Sequence, residues 1–97
     1  MDIETFLAHV GNNKEPDPSW LKALQALWYA EKPDWDTAHR ICQKENTTLD
    51  YWIHANLHRE EGDLDNARYW YQRAGKSEYK GTIKDERREM LATVLPQ

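Results

Sequence analysis

His54 and His58 stand four residues apart, and Glu61 follows three further on. On a helix that spacing brings both imidazoles and the carboxylate to one side. Two imidazoles and a carboxylate can hold zinc and leave one position open for water, the arrangement a hydrolytic metal site needs. His39 lies too far along the chain to share their helix, so sequence does not say whether it approaches. Cys42, the only cysteine, is the other reactive side chain. It falls at an apolar position with no partner motif, which reads as a small buried hydrophobe rather than a nucleophile. Asp34 with Asp36, and Asp63 with Asp65, resemble paired carboxylates. Their places at helix starts make them caps and complements of the helix dipole. The run Lys84 to Glu89 reads as a solvated helix face. No phosphate-cradling glycine loop and no Ser/His/Asp grouping is present.

The elements that carry these residues follow from apolar spacing, which is helical throughout. Ile3, Phe6, Leu7 and Val10 make the first stripe, capped by Asp2 and stopped at Gly11. The second helix is expected to begin at the Asp17-Pro18 pair, a cap followed by proline at the first helical position. It carries Trp20, Leu24, Leu27 and Trp28 to about Glu31, where Pro33 breaks it. Asp34 caps the third helix, with Trp35, Ala38, Ile41 and Cys42. Thr47 or Thr48 caps the fourth, with Leu49, Trp52, Ile53 and Leu57, and Gly62 ends it in the left-handed conformation. Asp63 caps the fifth, with Leu64, Ala67, Trp70, Tyr71 and Ala74, up to Gly75. Thr82 caps the sixth, with Ile83, Arg87, Met90, Leu91, Val94 and Leu95, and Pro96 stops it. No strand pattern appears. The expectation is an all-α domain of six helices spanning residues 1–97, with short loops forcing antiparallel neighbours.

The chain also repeats itself. Shifted by 29 residues, Ala26 falls on Ala55, Glu31 on Glu60, Asp34 on Asp63, Asp36 on Asp65 and Ala38 on Ala67. Each unit is helix, tight turn, helix. Here the chain resembles the tetratricopeptide-repeat family, whose turn reads glycine, aspartate, apolar, then alanine three residues on. Gly62, Asp63, Leu64, Ala67, Tyr71 and Ala74 carry that likeness, with Tyr51, Ala55 and His58 in the helix before. The segment from His54 to Gly75 looks like small uncharacterised bacterial proteins of this type. The likeness covers roughly residues 19–75. Its unit is shorter than the family's usual length of about 34 residues. There are only two units, so the end helices, 2–10 and 82–95, must cap exposed faces.

The resemblance implies stacked antiparallel helix pairs and an interaction or adaptor role without catalysis. In that family, first helices line a groove for a peptide or helix. Carried over here, the groove would show Trp20, Leu27, Trp52, Asn56 and Arg59, a mixture that interfaces favour. Alternatively, the last helix fills that groove. The repeat also bears on the histidines. His58 falls on Tyr29, a ring position against the partner helix, and His54 on Gln25, which is not a ligand. Structural histidines are therefore expected, and no cofactor. A metal protein or enzyme built on His54, His58 and Glu61 is the competing class, and a self-associating homodimer the third.

Thirteen Lys and Arg against 17 Asp and Glu give a net charge of -4. That balance argues against nucleic acid, which needs a basic face. No apolar stretch nears the roughly 18 residues of a membrane span, and the first residues lack a secretion signal's basic start. With a single cysteine, no disulfide framework is implied. A cytoplasmic location and a protein or peptide partner are expected.

Overall fold

The structure, a computed structural model, describes residues 1–95. These form six helices: α1 (Ile3–Asn12), α2 (Lys22–Glu31), α3 (Trp35–Gln43), α4 (Thr48–Glu60), α5 (Leu64–Ala74) and α6 (Ile83–Val94). Among the described residues there is no strand, and no helix is long and apolar enough to cross a membrane. Pro96 lies outside the described residues.

Most helix ends follow the local chemistry of the sequence. The side chains of Asp2, Asp34, Thr47, Asp63 and Thr82 each accept a hydrogen bond from the backbone N–H three residues on. That satisfies one of the donors every helix start leaves open. Thr47 and Asp50 do so reciprocally, as a capping box. Gly62 and Gly75 sit at φ +88° and +71°, a conformation costly to residues with a Cβ.

Two boundaries differ from the expectation. α1 does not stop at Gly11 but continues to Asn12. Its last carbonyls are met from outside: Lys32 Nζ donates to Val10 O at 2.9 Å and to Asn13 O at 2.5 Å. A long-range ammonium thus takes the place of a left-handed glycine cap. α2 does not start at Pro18 but at Lys22. The Asp17 carboxylate is engaged by the Ser19 backbone N–H and hydroxyl, and Trp20 N–H donates to Asp17 O. These bonds close a separate turn.

α2 and α3 form one hairpin and α4 and α5 a second, and α6 lies across α2 and α4. The two hairpin turns share two bonds at the 29-residue offset: Lys32 N–H donates to Trp28 O and Glu61 N–H to Leu57 O, while Asp34 N–H donates to Tyr29 O and Asp63 N–H to His58 O. Small residues line the close contacts, since Ala26, Ala38, Ala55 and Ala67 are all buried. Around them Phe6, Leu27, Trp28, Ile53, Leu57, Tyr71, Met90 and Leu91 make one core to which all but α3 contribute its largest members. α1 closes the end of the molecule, where Trp28 Nε1 donates to His9 Nδ1 at 2.9 Å.

Candidate functional site

α4 presents different side chains on its two flanks, and both flanks hold candidate residues. On one flank Trp52, Asn56 and Arg59 follow at i, i+4 and i+7. Trp52 and Asn56 are buried, and Leu27 on α2 is fully so. The structure places Trp52 and Asn56 under α6, bonded to it, rather than on an open groove, and Leu27 in the core. Trp20 belongs to the turn before α2 and packs on α1, its ring 5.9 Å from Phe6 and 4.8 Å from His9. Arg59 clamps the entry to α6, donating to Gly81 O and to Glu86 Oε1, both at 3.0 Å.

What α6 brings to that flank is a carboxylate. Glu86 is fully buried. Its Oε2 accepts from Trp52 Nε1 at 2.9 Å and from the Tyr71 hydroxyl at 2.6 Å. Its Oε1 accepts from Asn56 Nδ2 at 2.8 Å as well as from Arg59. Beside it Arg87, also buried, donates to Asn56 Oδ1 at 2.8 Å, to Glu60 Oε1 at 2.5 Å and to Ala30 O at 3.3 Å. Burial, with Glu86 alongside, raises the Tyr71 hydroxyl above its ordinary pKa. The charged run of α6 is therefore not a wholly solvated face. The available signal was periodicity: Glu86 lies four residues before Met90, and Arg87 four before Leu91.

The opposite flank of α4 carries Tyr51, His54 and His58. α3 adds His39, so three imidazoles converge. Their ring nitrogens lie within 4.8 Å of one another. The His39 ring stands edge-on to His54 and His58, with centroids 4.6 and 5.2 Å away. His54 and His58 are stacked at 4.8 Å. Two indoles wall the cluster: Trp35 lies parallel to His39 at 4.8 Å, and Trp70 parallel to His54 at 3.9 Å. Trp35 is itself held by its Nε1–H, which donates to Leu57 O at 2.7 Å. Glu61 Oε2 sits 2.7 Å from His58 Nδ1. Thus His54 and His58 adjoin in space, while Glu61 reaches only His58 and the third member of the grouping is His39, from the helix that sequence could not place.

Burial disfavours charge on the His54 and His39 rings. It lowers the His54 pKa to about 3, with His39 and His58 adding to the effect. Burial and then His58 lower His39 too, against the opposing pull of Glu61 and Asp36. Cys42, one turn beyond His39, is buried and its thiol is pushed up to about 12 by desolvation, so it packs as a small hydrophobe. Asp34 and Asp63 spend their carboxylates on helix caps.

A surface patch adjoins the histidines. Tyr51 and Trp70 are half-buried and Tyr69 is exposed. The Arg73 guanidinium lies 4.7 Å from the Tyr51 ring centroid, 5.4 Å from Trp70 and 5.9 Å from Tyr69. It donates to both tyrosine hydroxyls at 3.2 Å. This patch went unread in the sequence because its four residues lie on two helices.

Comparisons of the chain with protein-family models, curated proteins and solved structures found no match.

Proposed function

We propose that this protein is a tetratricopeptide-like interaction module that binds a protein or peptide through the outer face of α4 and α5. The observation that carries the reading is the Arg73 guanidinium laid over Tyr51, Tyr69 and Trp70. Aromatic rings and arginine dominate binding energy at interfaces because they offer large area and several donors at little loss of side-chain freedom. The groove of first helices is the weaker candidate, since Trp52 and Asn56 are already committed to Glu86. A partner would lay apolar surface on the rings and offer acceptors to Arg73. The single buried Cys42 fits work in the reducing cytoplasm.

A photo-activatable cross-linker placed at Tyr69 tests this in the source cell. A discrete adduct at Tyr69, absent when the probe sits at exposed Lys84 on α6, is the expected result. Identical or absent labelling at the two positions would end the proposal. An adduct of twice the chain mass would identify the partner as a second copy.

A further inference from the structure

We propose that His39, His54 and His58 form a binding site for a single zinc-type divalent ion, with Glu61 as the positioning residue for His58. The assignment stands apart from the interaction reading and shares only Trp70 with it. Three features of the geometry carry it.

The first is convergence. Imidazole nitrogens bound at about 2.0–2.1 Å in a tetrahedral shell stand about 3.3 Å apart. Here the nitrogens lie within 4.8 Å, so an approach of about 1.5 Å would complete a three-nitrogen face.

The second is orientation. Ligating histidines characteristically engage a carboxylate or carbonyl through the other ring nitrogen, which fixes the ring and raises its basicity. The Glu61 contact occupies His58 Nδ1 and leaves Nε2 as the ligand atom. Trp35 and Trp70 hold the His39 and His54 ring planes by parallel stacking.

The third is that these rings are otherwise unused. Among the described residues the His39 and His54 rings contact aromatic faces, while the polar side chains across α4 are bonded to one another. Two buried or half-buried imidazoles stacked without hydrogen-bond partners are available as lone-pair donors. Three imidazole nitrogens suit zinc, copper(II) or nickel(II) better than magnesium or calcium, which take oxygen. His39 is only half-buried, so the fourth position opens towards solvent and would hold water. The other grouping near α4, His58, Glu61 and Asp63, is the poorer one, since Asp63 caps α5 and Glu61 already contacts His58.

The test is calorimetric titration of metal-free full-length protein, at tens of micromolar, with zinc chloride. Saturation at one ion per chain is expected, with a rise in melting temperature that a chelator reverses. His39→Ala, on an accessible ring, should weaken binding at least tenfold. Glu61→Gln, at an exposed position, should weaken it by about 10–100-fold. His9→Ala, which removes the one histidine outside the cluster, should leave the affinity unchanged. Absence of saturable binding to the wild-type chain overturns the proposal, and that result does not depend on any variant folding. A stoichiometric site that keeps its affinity in both His39→Ala and Glu61→Gln, with circular dichroism showing intact helix, also overturns it.

Discussion

The two flanks of α4 treat buried polar atoms in opposite ways. On the α6 side, Glu86 accepts four hydrogen bonds and Arg87 donates to three groups. A buried carboxylate and guanidinium are tolerated there because nearly every lone pair and proton has a partner. The exception is Arg59 Nε, which has none. On the α3 and α5 side, three imidazoles meet with ring faces packed and one short contact, from His58 to Glu61. The first cluster is closed and holds the molecule together. The second packs mainly by ring faces. Buried polar groups are thus held by hydrogen bonds on one flank and by ring packing on the other.

The contrast can be broken most decisively at Glu86. Glu86→Ala leaves the Trp52 and Tyr71 donors without their acceptor and the Arg59 guanidinium without its buried carboxylate. We expect a loss of about 3–5 kcal/mol in urea denaturation. A loss below 1 kcal/mol, on the order of an exposed ion pair, would show that α6 is not docked on α4.

Acid should act on the other flank. Below pH 6.5 the unfolded imidazole of His54 takes up a proton that the folded ring refuses until about pH 3. The unfolded state then binds more protons, so stability falls as pH drops through that window and is flat above it. The slope from this group is at most about 1.4 kcal/mol per pH unit. His39 acts in the same direction, with Glu61 and Asp36 opposing it. Denaturation midpoints of the metal-free protein between pH 7 and 4 check this, and His54→Phe should flatten the profile. An equal slope in that variant would move the effect elsewhere.

The turn that links the flanks comes next. Gly62→Val forces a branched residue to φ +88° and should cost about 1–3 kcal/mol. A thermal melt matching wild type would show that the α4–α5 turn does not need the left-handed conformation. The smallest effect should come from His54→Phe at neutral pH, under about 1.5 kcal/mol, since an aromatic ring of similar shape replaces one that packs mainly by its faces. A collapse comparable to Glu86→Ala would mean that the histidine flank is bonded as tightly as the other.

Sequence carried the elements well because their ends are written in neighbouring residues. Asp34, Asp63 and Thr82 cap through bonds that span three positions, and Gly62 and Gly75 turn by their own lack of a Cβ. Both misread boundaries have a non-local or competing partner. Lys32 reaches the end of α1 from 22 residues away, and Ser19 engages the Asp17 carboxylate. For the candidate site the division is similar. His54, His58 and Glu61 share a helical side through spacing alone.

The sequence by itself determined six helices, five of their N-terminal caps, the paired turns and the shared side of two histidines, because each depends on contacts within a few residues along the chain. Only the tertiary structure decided that α6 covers Trp52 and Asn56, that Glu86 is buried, and that His39 joins His54 and His58. Those outcomes depend on how helices separated by loops pack, and one register of charged and apolar residues is compatible with a solvated face or a buried one. Packing selected the buried one for α6, where Glu86 and Arg87 met enough partners to lose their water.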